Sequence, residues 1–474
     1  MRMMGISRSH FFLVTVLLVM VMGGFEIWMN SRTPKAVNLI YGSARKEEGF
    51  DTLTALPDNG MMIAGHKKAG SEFAANAWLM RLDQQGRIIW QKTFTGHERS
   101  HFERLQTLSD GTVLTSGYQY DPGIGQVGWL SKISLNGRVI WEKRLTNVPK
   151  GRLGALVAFP DGGAIVAGYD REGGLLTNKI PVYKSWIVRL SEKGKRLWQK
   201  ELVNETNAIR LSALRLLPKG GVLGAGIKLR EGKVCSPTKT APHEKSNKFI
   251  DCLMTPYDAF AVKLSKEGEV IWQKRFPGTR GSSFRSIVPL PEGGVVLAGA
   301  DYVSSAFLGS SKVPPSGQYR QHIRLMRLDE QGHKLWEKAC CGQDPAQTSS
   351  SLSELTLLPT DHLALAGYLQ SQQEKSEAAK GLSLVMDQNG RILAKHIYRP
   401  RRNEDRTFDL AITDLVLSVM PFADHFWTIV RSGPSRSEWT SVRMLANGRL
   451  AMVGRVWGVE SWNGWLSLAP KEDF

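Results

Sequence analysis

The chain has 474 residues, 42% of them hydrophobic, which is enough for a large core and excludes a chain too polar to fold on its own. Its formal net charge of +18 favours anionic partners such as membrane surfaces, acidic glycans or nucleic acid. The basic residues are scattered rather than gathered in one run, as on a well-solvated surface.

Arg2 and Arg8 precede an apolar run from Phe11 to Met22 in which Thr15 is the only polar residue. A positive start followed by about 7–15 apolar residues reads as a signal peptide. Continuing through Trp28 approaches the roughly 20 residues of a membrane span, but Glu26 interrupts it. Residues 1–30 are therefore a signal peptide or an uncleaved signal anchor. Either places the chain from about Ser31 on the periplasmic or other extracytoplasmic side of a bacterial inner membrane. The membrane becomes a partner through this segment, and nucleic acid is not expected as one.

Residues 31–474 form one repeating domain. After a break at Thr33-Pro34-Lys35, Ala36 to Tyr41 reads as a short strand with no hairpin before it. A thirteen-residue phrase then recurs: W-L-M-R-L-D-Q-Q-G-R-I-I-W from Trp78 to Trp90, and again at Trp129–Trp141, Trp186–Trp198 and Phe260–Trp272. A shorter copy ends at Trp336, and the copy around Gly390 ends in Ala394 instead of Trp. Apolar residues alternate on each arm, and a late Gly supplies the positive φ of a tight turn, so the phrase is a β-hairpin. A second phrase alternates with it: Leu56-Pro57-Asp58-Asn59-Gly60 leads to Ala64-Gly65. Related copies lead to Gly117, Gly168, Gly226, Gly299, Gly367 and Gly454. Pro, acidic residues and Gly there are turn chemistry, and the Ala-Gly pair suits a crowded meeting of strands.

Two turns per repeat give four strands, and four-stranded units at such periods read as propeller blades. The fold class is all-β. Near the end, Trp465 to Leu468 matches a first hairpin arm, and Ala36 to Tyr41 supplies the missing second arm. N- and C-terminal strands would thus close the ring and remove two open sheet edges. Counting Ala-Gly phrases gives seven blades. The irregular region 395–440 contains strand-like Leu415–Met420 and Phe426–Val430, which leaves an eighth as the alternative.

The four cysteines fit an oxidising compartment. Cys235 and Cys252 lie in one polar segment and would close a short loop if bonded. Cys340 and Cys341 are adjacent and could form a vicinal disulfide, stay reduced, or bond elsewhere. His97-Glu98-Arg99-Ser100-His101 matches H-E-x-x-H, a zinc motif when it lies on a helix. Here it falls in a connection between strands too short for two helical turns, so a surface loop is expected rather than a metal site. The hairpin Trp residues read as core between blades, not as a ligand-stacking set. Arg399, Arg401, Arg402 and Arg406 form a basic cluster that suits a solvated loop or an anionic lipid or glycan. No G-x-S-x-G, P-loop or paired-carboxylate constellation is present, and no catalytic residue, cofactor or metal ligand is assigned from the sequence.

The distance from the Ala-Gly phrase to the next hairpin grows from 13 residues (Gly65 to Trp78) to 18 (Gly168 to Trp186), 34 (Gly226 to Phe260) and 25 (Gly299 to Arg324). Equivalent connections emerge on one face of a propeller. Long loops at 227–259 and 300–323 should therefore gather over consecutive blades, where binding usually sits.

The repeat, with a small or acidic residue, Ala, an aromatic, Val or Leu, any residue, Lys or Arg, Leu and then G-x-x-x-W, resembles bacterial β-propeller repeats of the seven-bladed and PQQ-like types over most of residues 36–474. The resemblance implies a fold more than a function, because propellers host both scaffolds and enzymes. The function expected is a non-enzymatic module that binds a protein or cell-envelope component through the long-loop face. The alternatives are a quinoprotein-like (PQQ-type) oxidoreductase, for which the resemblance would have Cys340–Cys341 stack on the quinone, and a glycan or small-ligand sensor using the central channel.

Overall fold

The two phrases become the two tight turns of a four-stranded antiparallel sheet. The computed structural model describes residues 37–41, 48–68, 75–95, 99–145, 151–174, 179–202, 209–230, 257–278, 281–304, 319–340, 348–371, 380–398, 437–445, 449–457 and 462–469, which contain twenty-eight strands and no helix. The N-terminal segment, residues 231–256 and 305–318, and the four arginines from Arg399 to Arg406 lie outside them.

The first sheet holds β2 (Glu48–Ala55), β3 (Met61–Lys68), β4 (Ala75–Leu82) and β5 (Ile88–Phe94). The second holds β6 (Ser100–Thr107), β7 (Val113–Asp121), β8 (Gly125–Ile133) and β9 (Val139–Leu145). The third holds β10 (Arg152–Ala158), β11 (Ala164–Gly174), β12 (Lys179–Leu190) and β13 (Arg196–Glu201). The fourth holds β14 (Ile209–Leu216), β15 (Val222–Leu229), β16 (Tyr257–Leu264) and β17 (Val270–Phe276). The fifth holds β18 (Gly281–Pro289), β19 (Val295–Ser304), β20 (Tyr319–Leu328) and β21 (Lys334–Cys340). The sixth holds β22 (Thr348–Leu357), β23 (Leu363–Ser371), β24 (Lys380–Met386) and β25 (Ile392–Tyr398). The seventh joins β26 (Ser437–Met444), β27 (Leu450–Trp457) and β28 (Trp462–Ala469) to β1 (Val37–Tyr41), with Val37 opposite Leu468 and Tyr41 opposite Gly464. The N-terminal strand therefore closes the ring, as the missing hairpin arm implied. β23 and β24 pack directly on β26, and β2 packs on β26, β27 and β28. No gap remains for an eighth blade, so the ring has seven.

Three contacts explain the repeated residues. First, every inner strand carries a β-bulge, between Phe50 and Thr52 in the first blade and at the matching place in the other six. The Gly of the Ala-Gly phrase sits against it. A Cβ on Gly65, Gly226 or Gly299 would lie 1.8 Å from a carbonyl oxygen of that strand, so no larger residue fits. Second, the outer-strand Trp of one blade lies on the positive-φ Gly of the next blade's hairpin turn. Trp90 packs on Gly137 and donates to the Leu135 carbonyl at 2.7 Å; Trp272 packs on Gly332 and donates to the Glu330 carbonyl at 3.3 Å. Trp336 does the same on Gly390 and the Gln388 carbonyl. Ala394 breaks the pattern because the seventh blade has no such turn: its outer strand arrives from the other end of the chain. At that closing junction Leu39 and Tyr41 cover Gly86, and the Tyr41 hydroxyl donates to the Gly86 carbonyl.

Third, a serine at the start of the inner strand ties blades together. Ser100 Oγ accepts from the Ala77 N–H at 2.9 Å and donates to the Phe94 carbonyl at 3.1 Å. Ser282 repeats this with Ala259 and Phe276, and Ser350 with Ile323 and Cys340. Each apolar cluster spans two neighbouring blades, so the core is a set of seams around the ring. Trp129 and Trp186 are fully buried in two of them, as expected for core between blades.

Candidate functional site

The seven inner strands run from the loop face to the turn face and surround the axis. The bulge lets two consecutive residues sit between apolar anchors three apart: Phe50 and Leu53, Phe102 and Leu105, Leu211 and Leu214, Phe284 and Ile287. These anchors pack against the preceding blade. The bulge positions themselves hold Asp51, Glu103, Gly154, Ser212, Arg285, Ser353 and Thr440, all lining the axial channel.

The channel consists of two chambers. One, of about 440 Å³, lies towards the loop face and is lined by Glu103, Arg104, Arg210, Arg285, Tyr169 and Tyr368 among others. The other, of about 310 Å³, begins at the level of Asp51, runs deeper towards the turn face, and adds Arg215, Glu354 and Arg443. Five arginines thus face three carboxylates on the channel wall. The deeper chamber is organised by Glu354, which accepts from Ser441 Oγ at 2.6 Å and from the Val442 N–H at 3.1 Å. It pairs with Arg443, and with Arg215 at 3.7 Å. Burial raises the Glu354 carboxyl, but the Arg443 and Arg215 charges and these hydrogen bonds outweigh it and hold the pKa below its ordinary value. Burial, with the neighbouring Arg443 charge, pushes Arg215 down to about 10. Arg104 donates to the Ser212 carbonyl at 3.1 Å, bridging across the small Gly154 of the intervening blade. Arg210 stands over the Tyr169 ring at 5.3 Å. The wall therefore offers fixed guanidinium groups in a partly enclosed space, a setting that favours carboxylate, phosphate or sulfate groups.

At the loop end of the first seam, Asp51 Oδ2 lies 3.0 Å from His66 Nδ1 and 3.6 Å from His101 Nε2. The expectation of a surface loop for the whole H-E-x-x-H stretch is corrected in part. Ser100 and His101 belong to β6, where His101 pairs with Tyr118 of β7, and only residues 96–98 lie outside the described structure. Sequence reasoning missed Asp51 and His66. Their available signal was the apolar-x-x-apolar spacing that marks the bulge.

Of the cysteines, Cys340 ends β21, an outer strand, and is not a free thiol. Cys235, Cys252 and Cys341 lie outside the described residues, so the expected pairings stay untested there. The long connections are shorter than the sequence suggested, because strand pairing continues into them. Leu229 pairs with Tyr257, Ser304 with Tyr319, and the third blade extends as a ribbon to Gly174 opposite Lys179. All three emerge on the loop face.

No protein-family model and no curated protein matches the chain. Among solved structures it is similar to a catalytically inactive virginiamycin B lyase from Staphylococcus aureus with quinupristin (12% identity, TM-score 0.47, covering 91% of this chain and 99% of that one). It is also similar to the Pan2 WD40 domain of Neurospora crassa (9%, 0.48, 89% and 90%). A third is an alpha-L-arabinanase of Penicillium chrysogenum complexed with arabinobiose (9%, 0.45, 93% and 99%). At such identities and scores these likenesses carry no functional argument; the seven-bladed propeller rests on the chain's own sheets.

Proposed function

We propose that this propeller is a non-enzymatic binding module on the extracytoplasmic side of a bacterial membrane, held there by its N-terminal segment. It engages a protein or cell-envelope component through the loop face, and the channel receives an acidic group of that partner. The observation that carries this reading is the set of five arginines on the channel wall, Arg210 and Arg285 among those lining the chamber towards the loop face. The strand ends from which the long connections leave lie on the same face. The turn face, by contrast, is capped by short turns whose acidic residues are engaged within the blade, such as Asp58 with Arg81 and Asp161 with Arg189.

The test is a crosslinked pull-down from the membrane fraction. It compares the intact chain with a version shortened within 231–256 and with the double variant Arg210→Ala/Arg285→Ala. A partner captured by the intact chain and lost from either altered form supports the reading. A partner kept by both, or none in any sample, overturns it. The competing quinoprotein-like reading instead expects a quinone retained through purification and lost on replacing Cys340 and Cys341.

A further inference from the structure

We propose that Asp51, His66 and His101 form a binding site for one divalent transition-metal ion of the zinc class, set in the first seam at the loop end of the channel. The site is independent of the partner proposed above. Its three donor atoms all lie within 4.8 Å of one another. Metal–nitrogen and metal–oxygen bonds of about 2.0–2.2 Å in tetrahedral geometry put neighbouring donors roughly 3.3–3.5 Å apart. The observed 3.0 and 3.6 Å to Asp51 Oδ2 need only small shifts to admit an ion.

The strands hold each donor independently. Asp51 is aimed by the bulge of β2. His66 directly follows Gly65, which is fixed against the same strand. His101 stacks on Tyr118, with ring centres 5.6 Å apart and planes 15° from parallel. The three side chains are 14–21% exposed, open enough for an ion to enter and enclosed enough for it to stay. Sites built on strands are positioned more accurately than sites on loops.

Comparison with the other seams shows that the fold does not require this set. At the third seam the position of His66 is Tyr169, that of His101 is Arg210, and that of Asp51 is Gly154. The contact there is a cation over a ring. The first seam carries two imidazoles and a carboxylate at these positions instead. Two nitrogens and one oxygen suit zinc, cobalt, nickel or iron(II) and do not suit calcium or magnesium, which prefer all-oxygen sets. Three protein ligands also leave a coordination position for water or an exchangeable oxygen ligand.

The simpler alternative is that Asp51 merely hydrogen-bonds both rings. Equilibrium dialysis of the EDTA-treated full chain against zinc separates the two. The expected result is one tightly held zinc per chain, with affinity reduced at least about 100-fold in Asp51→Asn, His66→Gln and His101→Gln, since losing even an outer-shell partner costs 10–100-fold. His333→Gln, at the exposed Asp329–His333 pair in a turn between hairpin arms, should leave uptake unchanged. Cobalt(II) gives a second readout: a visible band in the intact chain, absent from the three variants. Melting curves show which variants fold, and any one that folds decides. No tight uptake by the intact chain, or uptake that none of the three replacements weakens, overturns the proposal.

Discussion

The seams between blades and the wall of the channel are built by the same seven inner strands, yet they differ in kind. On the seam side the residues repeat: an apolar anchor before each bulge and another three positions on, a Gly under the bulge, a Trp over the next blade's turn. On the channel side no such rule holds, and the bulge residue runs from Asp51 through Gly154 to Arg285. The seam is fixed by close packing, where one added methyl is felt. The channel wall faces water or a ligand, so many residues satisfy it. The bulge separates the two demands by turning one residue per strand out of the packed layer.

The sharpest way to break a seam is Gly226→Ala. The new Cβ would fall 1.8 Å from the Arg210 carbonyl oxygen, a backbone atom held by sheet pairing. We expect a loss of at least about 4 kcal/mol, or no folded protein, in urea unfolding. Gly111→Ala is the control. Its φ of 78° is positive, a strain that Gly226 does not carry, but the nearest heavy atom to an added Cβ is 4.0 Å away, so it should cost only about 1 kcal/mol.

Glu354→Gln tests whether the channel wall is free of structural duty everywhere. It leaves Arg215 and Arg443 close together without their shared counter-charge. Breaking such a partly buried cluster should cost about 3 kcal/mol. The pH dependence has a definite sign. The Glu354 pKa is lowered in the folded state, so its stabilisation is complete above the unfolded value of about 4.3 and is lost as the pH falls through the folded value below it. The urea midpoint of the parent should therefore fall more steeply than that of Glu354→Gln in this acid range. Equal slopes would mean that the cluster contributes nothing to folding.

The seam makes a smaller, paired prediction. Trp272→Ala removes a half-buried ring and its hydrogen bond to the Glu330 carbonyl, and should cost about 2 kcal/mol by thermal or urea unfolding. Ala394→Trp restores the phrase where it is missing. Because the seventh blade offers no turn for the ring to cover, no stabilisation should follow. A gain of about 1 kcal/mol or more would show that some other surface receives the ring.

The seams were legible in the sequence because their contacts join residue types that recur in fixed phrases. Five Ala-Gly pairs, with Ser116-Gly117 and Val453-Gly454 in the matching places, counted the blades, and Ala36 to Tyr41 revealed closure because it had no partner arm nearby. The meaning of Ala394 was not legible, since it depends on what the next blade lacks. The channel was hidden for a different reason. A bulge breaks the two-residue alternation by which strand faces are read, so F-D-T-L or F-R-S-I does not announce which side chain leaves the core. Asp51, His66 and His101 stand on three strands and meet only through pairing and ring geometry. The one motif that drew notice there, H-E-x-x-H, belongs to helices, and its last histidine is used instead from a strand.

Arg285→Ala should have the smallest effect on the fold and a large one on binding, which is the contrast in its purest form. Arg285 is the bulge residue of the fifth blade and is exposed in both chambers. Its neighbours Phe284 and Ser286 carry the structural contacts: Phe284 is fully buried, and Ser286 exchanges hydrogen bonds with the Leu355 backbone at 3.1–3.2 Å. Truncating an exposed side chain away from such contacts should shift unfolding by no more than about 0.5 kcal/mol. Losing one of five guanidinium groups should still weaken capture of an anionic partner, because a charge-assisted hydrogen bond contributes about 1.5–3 kcal/mol, or roughly ten- to a hundredfold in affinity. If Arg285→Ala instead lowers stability as much as Trp272→Ala, the channel wall supports folding no less than the seams do, and the division between them fails.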